Sequence, residues 1–525
     1  MINSSEDFQY DSCVSRGICS INPRTSALQR VLILYLKLIS KYVVHLLEKD
    51  EKDENTKNLI LNTISIAVSN PEFTEESFVS VVSIFKDKLP QIIDKYNEVF
   101  EEDDFKTESL KLLELFTQTN DIISAIKFGE KTIRNLVNKI PAKTRDLYNI
   151  MLVIAKSISI NLLDLESYGK TSESAFLTVL KLLNLINLEE DSTEQLKDEI
   201  ISASQVDKEI MSMVHSAQEE RYGVQGCAEV SYSTVPSKAV LVVGSNIREL
   251  ETVLDALKNE KIDVYTHDDM MIAHTFPKFA EYEHLKGQYG QGVENCLLDF
   301  ATFPGPIILT KHSLYNIENF YRGRLFTTDY ACPKGVIKIE KEDFLKVIDS
   351  AKKAKGFKRG KQCESVIIGY KHEELSAMIK DTLSLGLYKN VFLIGLEKYS
   401  LEQHKYFEKL AKLAPKEVLI ISLSYNFNRE NFIHVNACFD NYAIIRLYNE
   451  IKRYGLKTSV FVPKCDRNSI SQMVFLSKDD DTDVFVGKCT PIILNPSLMG
   501  TLQSEFSING ITSAKKDLER IFSDK

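Results

Sequence analysis

Nine cysteines are spread along the 525-residue chain, and only Cys13 and Cys19 stand close together. Thiolates hold iron–sulfur clusters, and a cubane takes four protein ligands, so this pair alone completes nothing. The other seven (Cys227, Cys296, Cys332, Cys363, Cys438, Cys465 and Cys489) are scattered rather than framed, the pattern of buried small hydrophobes. A second group of reactive side chains follows short apolar runs: Gly244-Ser-Asn246, Thr266-His-Asp-Asp269, Thr310-Lys-His-Ser313, Gly395-Leu-Glu397, Ser424-Tyr-Asn426 and Pro463-Lys-Cys-Asp466. Asp269, Glu397 and Asp466, with His267 or His274, have the hard donors that suit one or two hard metal ions. Pairing with Lys311, Lys398 or Arg467 is the commoner fate of a buried carboxylate and is the preferred reading.

Those clusters need a scaffold, and the apolar pattern supplies one. Leu28, Val31, Leu32, Tyr35 and Ile39 recur at helical spacing, as do Ile122, Ile123 and Ile126. Acidic turns at Lys49–Glu54 and Glu101–Asp104 divide the stretch 25–220 into antiparallel hairpins, a bundle of roughly six to eight helices by ordinary helix lengths. The texture changes near Arg221–Val224. Short β-branched runs then alternate with helical stretches: Ala239–Val243, Asp263–Thr266 and Pro306–Thr310, followed by Ser365–Gly369, Val391–Gly395, Val418–Ile421, Ser459–Val462 and Val484–Val486. Apolar runs separated by helices imply parallel sheets with right-handed crossovers. The expected class is α/β, an N-terminal helical bundle followed by two Rossmann-like domains. The expected boundaries are 1–24 for a cysteine segment, 25–225 for the bundle, 226–358 and 359–525 for the two sheet domains, which meet near Lys352–Gln362. Ligands of such sheets sit beyond the carboxyl ends of the strands, where the six clusters fall. Gly244-Ser-Asn246 is no dinucleotide fingerprint, because its second and third glycines are missing.

Composition narrows the function. A net charge of −9 leaves no basic patch to offset phosphate repulsion, so no nucleic-acid partner is expected. The apolar runs are far shorter than a bilayer span, and no basic-then-apolar leader is visible at the start. The expectation is a cytoplasmic protein without a membrane partner, in which disulfides are disfavoured.

Several ordered motifs carry a resemblance. Tyr222-Gly223, the run Val240–Gly244, and Tyr265-Thr-His-Asp-Asp-Met-Met-Ile-Ala-His-Thr-Phe-Pro277 resemble the hybrid-cluster protein and carbon monoxide dehydrogenase superfamily in order and spacing. So do Gly287-Gln-Tyr-Gly290, Phe303-Pro-Gly-Pro306, Arg322-Gly-Arg-Leu-Phe-Thr-Thr328 and Pro333-Lys-Gly-Val336, with a weaker match from Cys438-Phe-Asp-Asn-Tyr442 to Asn495-Pro496. The resemblance implies a helical domain followed by two Rossmann-like domains. It also implies a cubane near the N-terminus, an Fe–S–O hybrid cluster between domains, and reduction of hydroxylamine or nitric oxide.

Carried over residue by residue, the resemblance puts oxygen where the family has sulfur or nitrogen. The family's histidine ligand falls on Ser245, and its first glutamate on Asp269. Its cysteines fall on Ser313, Glu397 and Tyr425, while one survives as Cys438. The final glutamate falls on Asp466, beside Cys465. Hydroxyl, phenol and carboxylate groups are hard donors and poor hosts for a sulfide-rich cluster, so an intact hybrid cluster is not expected. Cys13-Val-Ser-Arg-Gly-Ile-Cys19 is similar to the second half of the family's N-terminal cluster motif, and the first half is missing. Two readings stay open: a homodimer in which Cys13 and Cys19 of both chains share one [4Fe–4S] cluster, or a vestigial pair of thiols. The functional expectation is a dimeric redox, iron–sulfur or scaffold protein working with a redox protein partner. The alternative is a hydroxylamine or nitric oxide reductase with an altered metal centre. A nickel–iron carbon monoxide dehydrogenase ranks below both, because it needs the same absent thiolates.

Overall fold

The computed structural model describes residues 23–69, 73–99, 106–186, 193–290, 295–315, 317–397, 401–437, 439–464, 468–488 and 496–523. The chain forms two compact units. One holds residues 1–210 with segments 329–334 and 490–501, and the other holds 211–328, 335–489 and 502–525.

The first unit is helical. Its helix Pro23–Glu48 buries Leu28, Val31, Leu32, Tyr35, Leu36 and Ile39 completely. A helix apolar on most of its faces must be surrounded, and this one packs against the helices Glu54–Ala67, Glu75–Val99, Ile122–Lys139 and Glu173–Leu185. Its crossing with Ile122–Lys139 is close: a Cβ on Gly129 would stand 2.1 Å from the Ala27 carbonyl oxygen, so only glycine fits. Helix starts are marked by Asp53, Asp121 and Ser172, whose side chains accept from first-turn N–H groups. Each such cap is worth about 1 kcal/mol.

The second unit carries fourteen strands among its described residues. β1 (Ala228–Ser231) precedes a parallel sheet made of β2 (Lys238–Val243), β3 (Ile262–His267), β4 (Leu285–Gln288), β5 (Ile307–Leu309), β6 (Leu325–Thr327) and β7 (Ile337–Lys338). β8 (Ser365–Ile368) precedes a second parallel sheet of β9 (Asn390–Ile394), β10 (Val418–Ser422), β11 (Phe432–His434), β12 (Lys457–Val462), β13 (Thr482–Val486) and β14 (Ile508–Gly510). The spatial orders are β4-β3-β2-β5-β6-β7 and β11-β10-β9-β12-β13-β14. Counted along the chain, both are the doubly wound order 3-2-1-4-5-6. The central strands are the most apolar: Val240, Leu241, Val242 and Val243 of β2, and Val391, Phe392, Leu393 and Ile394 of β9, are fully buried between helical layers.

One apolar run behaves differently from its expected place. Ser365–Ile368 joins neither sheet; it pairs antiparallel with β1, Val230 opposite Val366 and Ser231 opposite Ser365. Ile367 stays 65% exposed there, so its apolar character does not mark a buried strand. The Lys/Gly-rich stretch after the helix Leu345–Lys353 is also tied down. Phe357 exchanges main-chain hydrogen bonds with Ser237 at 2.8 and 3.2 Å, and Thr234 does so with Lys361 at 2.9 and 3.1 Å. Among the described residues no helix is long and apolar enough to cross a membrane.

Candidate functional site at the strand ends

In a sheet of this order the switch point lies between the first and fourth strands, where adjacent crossovers leave in opposite directions and open a crevice. For the first sheet that is the end of β2 and β5. Gly244 follows β2 with φ +123°, and a Cβ there would stand 2.2 Å from both the Ser313 and Thr310 hydroxyl oxygens. Ser313 therefore lies against the backbone that leads into Ser245. Asn246 caps the helix Ile247–Leu257 by accepting from the Glu249 N–H at 3.0 Å. Glu249 in turn accepts from the Lys311 N–H at 3.0 Å and the Thr328 hydroxyl at 2.6 Å, and the Lys311 ammonium lies 3.6 Å away. Lys311, expected to pair with a strand-end carboxylate, pairs with this helix residue.

Beside it, the end of β3 holds a polar network. His267 is fully buried, with Nε2 3.0 Å from an Asp299 carboxylate oxygen. Its Nδ1 is buried without a hydrogen-bond partner among the described residues, a state that native interiors seldom tolerate without a functional or structural reason. The Tyr315 hydroxyl donates to Asp268 at 3.2 Å. Burial, and then the charges of Asp268, Cys296 and Asp269, push the Tyr315 phenol well above its ordinary range. That influence places Asp269 in the same neighbourhood. His274 meets the Thr266 hydroxyl at 3.0 Å, and Thr266 pairs with the Gln288 amide at 2.6 Å.

At the second switch point, Glu397 follows β9. Its N–H donates to the Ser424 hydroxyl at 2.8 Å, and its carboxylate accepts from the Gln403 amide. Gln403 is held by the Pro463 carbonyl at 3.2 Å and the Lys488 N–H at 2.8 Å. Tyr425 lies three residues past β10, its N–H bonded to Ser422 and its ring packed on Phe407, Phe427 and His404. Its hydroxyl is buried with no partner among the described residues. Burial, then the charge of Glu397, hold that phenol protonated.

The backbone marks the same places. Asp268, His312 and Phe439 adopt φ of +59°, +63° and +64°, and each directly neighbours a position that the sequence singles out: Asp269, Ser313 and Cys438. Left-handed conformations in residues with a Cβ cost about 1–2 kcal/mol and cluster at functional sites. Cys13, Cys19, Cys438 and Asp466 themselves lie outside the described residues, as do Lys398 and Arg467.

Ser245, Asp269, Ser313, Glu397 and Tyr425 thus offer hydroxyl, carboxylate and phenol groups, with no thiolate or imidazole among them. This donor set does not fit a sulfide-rich iron cluster. Among the described residues no three His, Cys, Asp or Glu side chains converge closely enough to hold a metal ion. Asp299, Tyr315 and Gln403 were missed by sequence reasoning, whereas Ser424 belongs to the Ser424-Tyr-Asn426 cluster already singled out. Asp299 follows the Gly287–Gly290 motif, but Glu294 comes before it as the first acidic residue, so nothing in the sequence singles Asp299 out.

Two doubly wound sheets with polar groups gathered at both switch points define a doubly wound α/β protein. The chain belongs to the Prismane/CO dehydrogenase family, whose model matches residues 9–454. It is 26% identical to a hydroxylamine reductase of Acidiphilium cryptum (strain JF-5), over 96% of this chain and 94% of that protein. It is 23% identical to a hydroxylamine reductase of Thermodesulfovibrio yellowstonii, over 97% of both. Among solved structures it is similar to the alpha subunits of acetyl-CoA synthase/carbon monoxide dehydrogenase with NiZn[Fe4S4] and NiNi[Fe4S4] clusters. There the TM-score is 0.46 at 13% identity, covering 97% of this chain and 84% of that one.

Proposed function

We propose that this chain is a divergent member of its family that assembles no normal hybrid cluster and acts as a dimeric redox, iron–sulfur or scaffold protein in the cytoplasm. One observation carries the reading: oxygen donors occupy Ser245, Ser313, Glu397 and Tyr425, where the resemblance expects nitrogen or sulfur. Two of those residues are also constrained, since the Glu397 carboxylate accepts from Gln403 and the Tyr425 ring is packed among other rings. Any iron is proposed to sit at the other end of the chain, in one [4Fe–4S] cluster shared by Cys13 and Cys19 of two subunits. A redox protein is the proposed partner, and nucleic acid and membrane are not.

Iron counting on anaerobically prepared protein tests this. The expected result is about four irons per dimer, lost in Cys13→Ser, as one cubane requires. An iron-free dimer would leave the scaffold role and remove the shared cluster. Roughly six or more irons per chain, with hydroxylamine turnover from a strong artificial donor, would refute the reading. That outcome would establish the second one, an oxidoreductase of the hydroxylamine or nitric oxide reductase type with an altered centre. The end-to-end similarity to proteins named hydroxylamine reductase is what favours it.

A further inference from the structure

Two helices of the second compact unit meet at one histidine nitrogen. His215 lies on the helix Thr193–Tyr222, its side chain 12% exposed. Its Nε2 stands 2.7 Å from the guanidinium of Arg446, on the helix Ala443–Lys452. The same Nε2 stands 3.3 Å from the carboxylate of Glu219, one turn along its own helix. A guanidinium can only donate and an ionised carboxylate can only accept. The first contact needs a bare Nε2 and the second needs a proton on it, so the nitrogen cannot serve both at once. The bond with His215 outweighs burial and holds the Glu219 carboxyl below its ordinary range, so this group stays ionised in mild acid.

Arg446 makes no other hydrogen bond among the described residues, and its guanidinium lies 5.8 Å from the centre of the Tyr370 ring. The Tyr370 hydroxyl donates at 3.2 Å to Asp440, a buried carboxylate that also accepts from the Tyr442 N–H at 3.1 Å. Those bonds brace the loop after β11, in which Phe439 adopts φ +64°. They also brace the start of the next helix, where the Ala443 N–H donates to the Asp440 carbonyl at 3.0 Å and the Arg446 N–H to the Tyr442 carbonyl at 3.1 Å. A line of contacts thus runs from the imidazole to this loop. The remaining neighbours are the Tyr442 ring, 5.6 Å from that of His215, His372 on the helix His372–Ser384, and Glu450, whose charge reaches His372. The helix Ser469–Ser477 contributes Gln472, an uncharged group that meets Met211 one turn before His215. Burial, then the Arg446 charge, pull His372 below its ordinary range and keep it uncharged at neutral pH.

We propose that His215 is a proton-operated latch on the loop and helix start at 439–446. With Nε2 bare, Arg446 donates to it and stays over Tyr370. When a proton from solvent binds Nε2, the new N–H turns to Glu219 and the imidazolium repels the guanidinium. Arg446 then loses its hydrogen bond and its place over the ring. Histidine is the side chain that changes charge between about pH 5 and 8, so the latch is closed at the upper end of that range and open at the lower. It rests on the fold alone, whether or not the chain binds iron.

Hydrogen exchange read by mass spectrometry on the full chain reports the latch through the amides of Tyr442–Arg446. Protection factors are compared at about pH 8 and about pH 5.5, which span the histidine range. The expected result is that protection of these amides falls about tenfold relative to that of β12, a difference of about 1.4 kcal/mol. His215→Gln, whose side-chain carbonyl accepts from Arg446 but takes up no proton, should keep the high protection at both pH values. Glu219→Gln, which removes the charge that draws the proton, should shrink the fall to about threefold or less. His372→Gln should leave it intact, and circular dichroism confirms that the variants fold. Protection that does not change with pH in the unaltered chain, or a fall that persists in His215→Gln, overturns the proposal; so does a fall that His372→Gln abolishes.

Discussion

The first sheet ends in loops whose polar side chains bind one another: His267 with Asp299, Tyr315 with Asp268, and Thr266 with Gln288. The second ends in packed rings, Tyr425 among Phe407, Phe427 and His404, with Glu397 held through Gln403. Strand order is the same in both, and so is one supporting device. Arg324 donates to the carbonyls of Phe300, Phe303 and Gly305, at the end of the helix Cys296–Thr302. Arg429 does the same for Ala411, Ala414 and Val418, at the end of the helix Leu401–Leu413. The two sheets thus share this device at their helix ends, while one carboxyl edge is joined by polar bonds and the other is lined by packed rings.

The largest test of that contrast concerns the ionic hub behind the first sheet. Glu251 is 1% exposed and accepts from Arg221 at 2.7 Å, Lys278 at 2.6 Å, the Tyr222 hydroxyl at 3.0 Å and Arg248 at 3.2 Å. Burial alone would raise its carboxyl, but bonds from Arg221, Lys278 and Tyr222 outweigh it and leave the group below its ordinary range. Glu251→Ala strands three cations and should cost about 3–5 kcal/mol in denaturant unfolding. A loss under about 1 kcal/mol would mean that polar bonding does not stabilise this half.

Acid titration should come next in size. His274 is held neutral when folded, at about 4, below its ordinary 6.5. Between those values the unfolded chain binds the extra proton, so stability falls as pH drops from 6.5 towards 4. The loss is at most roughly 3 kcal/mol, and His274→Asn should flatten the slope, as read from melting curves across that range.

The matched arginines give a smaller, symmetrical effect. Arg324→Ala and Arg429→Ala should each cost about 2–3 kcal/mol, since each frees buried carbonyls from a charged donor. Unequal losses would show that the device is not shared. The smallest expected difference separates two tyrosines. Tyr315→Phe removes a bond to Asp268 and should cost about 1–2 kcal/mol. Tyr425→Phe removes a hydroxyl that has no partner among the described residues and should be neutral or stabilising by up to about 1 kcal/mol. Equal effects in thermal unfolding would erase the contrast between the two edges.

Most of the architecture was legible because central strands of parallel sheets are buried on both faces, so Val240–Val243 and Val391–Ile394 stand out as unbroken apolar runs. The outer and short strands did not. Leu285-Lys-Gly-Gln288 has the composition of a turn, and its strand character comes from pairing with β3. Val366 and Ile367 erred the other way, since local apolarity cannot tell a sheet core from an exposed ribbon. At the site, the strand ends themselves were readable from where apolar runs stop. The bonds that organise them were not. His267 meets Asp299 thirty-two positions away, and Tyr315 meets Asp268 across forty-seven, through loops whose paths no local pattern encodes.

The pairing of β1 with β8 fastens the chain to itself like a buckle, because every strand of the first sheet lies between its two halves. A single protease nick near Arg359 should therefore leave two fragments that travel together under native conditions and part only in denaturant. Closing the buckle joins segments with a whole sheet between them in sequence, a long-range contact, so its amides should be among the last to gain hydrogen-exchange protection during refolding.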